Sequence, residues 1–399
     1  MLAEAPATER SGISSGLVLI LAASCGIVVA NLYYAQPMLD TLARVFRVGS
    51  AQAGLVTTFS QVGYAIGLAL LVPLGDSVDR RRFVPLLLVA TAVALAASAL
   101  APGIAVLIAL ALVIGLGSVA VQILLPMAAG LASDSRRGRV IGTIMTGVLL
   151  GILLARTVSG LVAGVAGWRV MYAVATVLVL AVAVTLWRVL PGEGERERLH
   201  LGKLLGSMAG LVASQPVLRR RMLLGGLGFC AFSVFWTTMA FLLARPPYHY
   251  GEAVIGLFGL VGAAGALIAN VAGREVDRGH GSRSTILFTA CIAGSFALLL
   301  AGSASLAALI AGIVVLDIGV QGLQVTNQNI VFAIVPAARS RVNACYMVAY
   351  FVGGALGSAL AGAAYAAAAW PAVCALGALV GVLAMAVWAF DRMVSRRVG

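Results

Sequence analysis

The stretch Gly75-Asp76-Ser77-Val78-Asp79-Arg80-Arg81-Arg82 lies between two apolar runs. It is written again, more loosely, at Gly273-Arg274-Glu275-Val276-Asp277-Arg278, 198 residues further on. Downstream the echo tightens. From Gly117 to Trp168 the sequence lies on Gly319 to Trp370 without a gap, at an offset of 202. Gln122 falls on Gln324, Arg139 on Arg341, Gly151 on Gly353, Gly160 on Gly362 and Trp168 on Trp370. Self-similarity at one fixed distance is the record of a duplicated unit, so the chain reads as one half built twice.

The repeated unit is apolar. Of 399 residues, 61% are hydrophobic and only 10% charged, where a water-soluble domain carries about 25% charged residues. Residues 11–39, 48–75, 83–133 and 342–390 are free of charge, and a span needs about 20 apolar residues. The pattern predicts twelve spans, roughly 14–36, 50–74, 83–101, 104–128, 140–164, 168–190, 222–244, 252–272, 284–302, 304–329, 341–366 and 370–390. With no water to satisfy backbone groups in a bilayer, all are expected to be helices. Ala101-Pro102-Gly103 and Ala369-Trp370-Pro371 mark turns inside the two longest runs. The first span is not read as a cleaved signal, because the charge before it is mixed (Glu4, Glu9, Arg10) and eleven spans follow. An all-α membrane protein of two pseudo-symmetric six-helix bundles is expected, residues 1–190 and 222–399, joined by a linker at 191–221. A duplicated membrane chain of this kind is the pattern of transporters that rock around a site between their halves.

The net charge of +13 follows the same topology. Of the 27 Lys and Arg, only Arg44, Arg47, Arg169 and Arg245 fall on one side of the alternating spans, and Arg156 falls inside one. The rest cluster on the other side. By the positive-inside bias that side is cytoplasmic, with both termini. The basic charge is then a topology signal rather than a nucleic-acid footprint. Cys25, Cys230, Cys291, Cys345 and Cys374 all fall in spans without metal spacing, and His200, His249 and His280 fall in loops. No metal site, cofactor motif or nucleophile–base pair is legible, which argues against an enzyme. Nothing demands more than a monomer.

Within the linker, Leu201, Leu204, Leu205, Met208, Leu211 and Val212 share the spacing of one helix face. A short helix lying on the membrane surface and a loosely ordered tether both fit. In the spans, Gly147-x3-Gly151, Gly160-x3-Gly164 and Gly353-x3-Gly357 mark close helix contacts.

The loop Gly75–Arg82 resembles the signature loop of the major facilitator superfamily, and its echo at Gly273–Arg278 stands where that family repeats it. The surrounding text, Asn31-Leu-Tyr-Tyr-Ala-Gln-Pro37, Gln61-x2-Tyr64 and Pro73-Leu-Gly-Asp76, is similar to the bacterial drug:proton antiporter branch. The resemblance covers nearly the whole chain. It implies the major facilitator fold and efflux of small organic molecules by alternating access, coupled to proton antiport. Its partners would be a small-molecule substrate, protons and the lipid bilayer. It also implies a conformational latch on the basic side, built from Gly75, Asp76, Asp79, Arg80, Arg136, Arg139, Asp277 and Arg278, with Asp79 either capping the next helix or pairing with the 4–5 loop arginines. Alternatively, the basic residues serve only as topology anchors. Three departures qualify the transfer. Arg82 stands where the family loop often has Gly, Ala111 stands where a span-four Arg is common, and Ile152 with Ala155-Arg156 replaces the span-five Pro and Gly-Gly. They keep open a second reading, a proton-coupled importer or uniporter of a sugar, organic acid or siderophore.

Asp317 is the one acidic residue well inside a span, where a charge costs at least about 2.5–3.5 kcal/mol. Asp317, Gln321, Gln324 and Gln328 fall at i, i+4, i+7 and i+11, on one helix face. The resemblance implies that spans one, four, seven and ten line the cavity. The stripe is therefore expected to face the substrate path, with Asp317 as the proton-coupling residue, or else to glue helices together. Arg156 is open to three roles: neutralising Asp317, binding an anionic substrate or snorkelling outward. Asn31, Tyr34, Gln61, Gln122, Phe232, Trp236, Tyr346 and Tyr350 complete the expected cavity lining. For the aromatics, plain helix packing is the alternative.

Overall fold

The computed structural model describes residues 13–398 apart from 76, 134, 193–200, 263–267, 269–271, 273–274, 276–277, 279 and 336–337. Every regular element among the described residues is a helix. The first half contains α1 (Ser15–Ala30), α2 (Leu39–Phe46), α3 (Ser50–Gly75), α4 (Arg80–Ala99), α5 (Ile104–Ser118), α6 (Ala120–Leu131), α7 (Arg137–Ala166) and α8 (Trp168–Val189). The linker forms α9 (Leu201–Ser214), so its apolar spacing does encode a helix. The second half contains α10 (Pro216–Leu243), α11 (Glu252–Val261), α12 (Gly281–Ala301), α13 (Leu306–Ile334) and α14 (Arg339–Val398).

Local chemistry sets the ends. Ser14, Asp79 and Ser305 each accept a backbone N–H of the following turn, satisfying donors that a helix start leaves orphaned. Gly167, at φ 89°, makes the tight reversal between α7 and α8. Within α14 the helix breaks at Ala368 and Ala369, the latter at φ 52°. Pro371 just beyond cannot donate an N–H and crowds the backbone before it, so α14 is two spans joined at the expected turn.

Nine described helices are long and apolar enough to cross a membrane, counting α5 and α6 as one and the broken α14 as one. Its second segment and the shorter apolar helices α1 and α11 stand at the remaining predicted spans. The most buried is α10, 94% of whose apolar window is covered by protein, which places it at the centre. Leu86, Val93, Leu100, Val165 and Leu356 lie exposed on the outside, as a lipid-facing surface requires.

The first span is shorter than its hydropathy implies. Regular helix stops at Ala30, residues 31–35 turn, and Gln36–Met38 is a single 3-10 turn. Pro37 contributes to the break, because it has no N–H to give the Tyr33 carbonyl and its ring crowds that carbonyl. The irregular stretch is buried throughout or nearly so, as non-helical backbone at membrane depth must be.

The two halves repeat each other's contacts. A Cβ built on Gly151 of α7 would collide with the Gly26 backbone of α1, and one on Gly353 of α14 would collide with the Gly226 backbone of α10. Between the halves, Gly160 of α7 meets Glu252 and Gly256 of α11, while Gly362 of α14 packs on Ser50 and Ala51 of α3 and approaches Gly54. The offset of 202 carries Gly160 to Gly362 and Gly54 to Gly256. The two interfaces between halves are therefore one contact made twice, by residues whose missing side chains allow backbones to touch.

Candidate substrate site

The broken first span feeds the centre of the molecule. Its 3-10 turn presents Gln36, whose Oε1 accepts a hydrogen bond from Nε of Arg156 at 2.6 Å. The Arg156 guanidinium lies 3.9 Å from the centroid of the Trp236 ring, 4.8 Å from Tyr33 and 5.5 Å from Phe232. These faces attract a cation, and the arginine is 4% exposed. Trp236 then donates its indole N–H to Oδ1 of Asp317 at 3.3 Å. Asp317 is likewise 4% exposed. Among the described residues, Arg156 and Asp317 form no ion pair. Trp236 separates them, its face toward the guanidinium and its edge toward the carboxylate.

Both charges line one cavity of about 150 Å³. Thr146, Phe232, Gly262 and Gln321 line it too, with leucines of α7. Asp317 and Gln321 thus face a shared space, as their spacing on α13 predicts. The remaining stripe residues engage α14 instead. Gln324 accepts from the Tyr350 hydroxyl at 3.0 Å, and Gln328 donates to the Met347 sulfur at 3.6 Å. Tyr350 stacks on Phe229 at 4.2 Å, and Tyr64 lies 4.2 Å from Phe351. Tyr346 sits 6.1 Å from Tyr350 and buries a hydroxyl without a partner. These rings form an aromatic layer on the arginine-rich side of the cavity, where they pack against each other rather than line open space. Gln122 donates to the Tyr64 hydroxyl, and Gln61 to Ser233, both at 3.2 Å. The Gln61 bond joins the two halves. Asn31 and Tyr34 are buried on the first span, Asn31 with both side-chain polar atoms unpartnered.

Of the two roles open to Asp79, the structure shows the cap. Asp79 is used as the N-cap of α4 and faces Arg82 at 3.9 Å. Arg80 donates to the Gly75 carbonyl at 3.1 Å. Arg136 and Arg139 line a separate recess beside Ser15 and Leu19, so the pairing of Asp79 with the 4–5 loop arginines is not formed. In the echo loop, Arg278 pairs with Glu275 at 2.8 Å. His280 and Arg278 together hold the Glu275 carboxyl below the usual carboxylate range. Asp76 and Asp277 lie outside the described residues.

A polar link between halves stands at the opposite, arginine-poor end. Thr41 of α2 donates to Glu252 at the start of α11. Arg44 holds Asp40 at 2.9 Å and reaches Glu252 at 3.9 Å. Composition hides this link, because Thr41 and Glu252 are 211 residues apart and neither is unusual alone. Gln36 and Tyr33 were also missed as site residues. The stretch Asn31–Pro37 contains them, but only the helix break shows that Gln36 turns toward span five.

A duplicated helical membrane protein with a charged, buried crevice between its halves has the architecture of a transporter, and the comparisons agree. The Major Facilitator Superfamily pattern matches residues 18–308 and 271–398. The chain is 46% identical over 376 residues to the uncharacterized transporter YgaY of Escherichia coli O157:H7, covering 94% of this chain and 95% of the relative. It is 35% identical over 368 residues to the probable transporter SCO4007 of Streptomyces coelicolor, covering 92% and 85%. Its fold matches the crystal structure of a bacterial homolog to the human lysosomal transporter Spinster with a TM-score of 0.74 at 15% identity, over 96% of this chain and 97% of that one. The chain belongs to the major facilitator superfamily. It is a membrane transporter and not an enzyme.

Proposed function

We propose that the protein exports small organic molecules across the inner membrane, with both termini cytoplasmic, by exchanging them for protons at Asp317. The supporting observation is that Asp317, the carboxylate deep in span ten, lines the same half-open cavity as Arg156. A buried carboxylate is tolerated when it is neutral or compensated. Loading and unloading a proton there changes which cavity occupant is stable. The rocking element is the pair of six-helix bundles, residues 1–190 and 222–399, with 191–221 as tether. Alternating access then opens one end as the other closes. The glycine contacts of Gly160 and Gly362, with the Glu252 link, hold the arginine-poor end shut in this conformation. The basic loops around Asp79, Arg80, Arg136, Arg139 and Arg278 would act at the other end.

The test begins with compounds from drug, sugar and metabolite libraries that stabilise the purified protein. Each is added to everted vesicles with an acidic lumen. The expected result is proton loss from the lumen with wild type and none with Asp317→Asn. Protons and compound moving in the same direction would establish the second reading, a proton-coupled importer. The Arg156 guanidinium, whose Nη2 has no partner, favours that reading for anionic substrates.

A further inference from the structure

The cavity holds one guanidinium and one carboxylate, each 4% exposed, and the structure keeps them from neutralising each other by direct contact. Arg156 has its Nε committed to Gln36, while its Nη2 is buried without a partner. Asp317 has Oδ1 committed to Trp236. Its Oδ2 faces Gly262, where an added Cβ would sit 2.5 Å from it. The glycine leaves room beside that oxygen that any other residue would fill. Around the two charges the walls are apolar, including Leu149, Leu150 and Phe232.

A buried charge left without compensation is costly, and this decides among ligand classes. A lone anion would satisfy Arg156 only while Asp317 kept its proton, and so would not drive the proton off. A lone cation would displace the proton and leave Arg156 without a counter-charge. A molecule carrying both signs satisfies both groups and leaves the site neutral. We infer that the substrates are small zwitterions with an aliphatic body, of the size and charge pattern of a branched-chain α-amino acid. The carboxylate lies against Arg156, the ammonium against Asp317 and the aliphatic part against the leucines and Phe232. The space of about 150 Å³ is enough for a small organic molecule, since an engineered cavity of about that volume takes up benzene.

The inference rests on the proposed exchange at Asp317 and gives it a mechanism. Ammonium and proton compete for the same oxygen. Asp317 releases its proton to water when the zwitterion arrives and regains one when it leaves. The substrate is neutral overall, so each exchange for one proton moves one charge, and the membrane potential drives the cycle as well as the pH gradient.

The test uses wild-type protein in detergent and five probes. L-Leucine, L-valine and L-methionine carry both charges. Isocaproate lacks the ammonium of leucine, and isoamylamine lacks its carboxylate. The expected result is that at least one amino acid binds, with the two half-probes at least about tenfold weaker than L-leucine. Arg156→Gln should narrow the gap between leucine and isoamylamine, and Asp317→Asn the gap between leucine and isocaproate. The wild-type ratios need no variant to fold. Binding by none of the amino acids, or a half-probe matching leucine, overturns the inference. Proton release on binding separates it from the reading beneath it. Selective leucine binding without proton release sinks the exchange and leaves the zwitterion site. Proton release by a compound of other chemistry, with leucine inert, does the opposite.

Discussion

The repeats agree in their contacts and disagree in their charges. Gly151 against Gly26 is matched by Gly353 against Gly226, and Gly160 against Gly256 by Gly362 approaching Gly54. At the same offset, however, Arg156 falls on Ser358, and Asp317 falls on Gly115. Ser358 merely bonds Thr237 at 2.9 Å. A Cβ on Gly115 would collide with the Ser60 backbone, so that position is reserved for helix packing. In the proposed mechanism the repeated scaffold supplies two equivalent rocking faces, and the single substrate path needs each charge only once.

Breaking that asymmetry is expected to produce the largest effect. Asp317→Asn should abolish proton release on ligand binding, and adding Gly115→Asp should fail to restore it. Restoration would mean that either bundle can host the carboxylate. Arg156→Ala removes the charge-assisted hydrogen bond to Gln36 and the stacking on Trp236 and should destabilise the protein by about 1.5–3 kcal/mol. Ser358→Ala at the equivalent position should cost only about 0.5–1.5 kcal/mol, both read as thermal or denaturant unfolding. The glycine faces sharpen the other side of the comparison. Gly160→Ala should cost about 1–3 kcal/mol through overpacking, because its added Cβ would collide with the Glu252 carbonyl, and Gly362→Ala less, because its nearest neighbours stand at 3.0 and 3.1 Å. No effect at Gly160, or a larger one at Gly362, would refute that reading of the interfaces. The smallest effect belongs to Glu252→Gln. Arg44 has 68% of its side chain exposed, so the link is worth about 0.2–1 kcal/mol. Its loss should favour opening of the arginine-poor end slightly, and less so at high salt.

The same contrast explains what the sequence disclosed. The duplication was legible because glycines at helix contacts leave a fixed spacing that survives divergence elsewhere. Asp317 and Arg156 were legible because a charge inside an apolar run stands out whatever the packing. Their relationship was not. Trp236 lies between them through helix orientation, which hydropathy does not encode, and Gln36 joins them only because the first span breaks at Asn31. The aromatic rings illustrate the opposite limit. Tyr346 and Tyr350 suggest a cavity wall by composition, and Tyr350 stacks on Phe229 within an aromatic cluster. The latch was expected on the basic side from the family resemblance of the Gly75–Arg82 loop, and of the two roles open to Asp79 the structure shows the helix cap. The polar link between halves given by Glu252 stands where arginines are few.

The central claim is that two equivalent bundles rock around the Arg156–Trp236–Asp317 cavity. The most direct test is a pair of spin-label distances in lipid nanodiscs, followed as pH is lowered. One pair replaces Thr41 and Glu252 across the arginine-poor end, and the other replaces the repeat-related Arg139 and Arg341 across the arginine-rich end. The account predicts opposite changes, one distance lengthening as the other shortens, and no pH response in the Asp317→Asn background. Distances that change together, or a full response without Asp317, would contradict it.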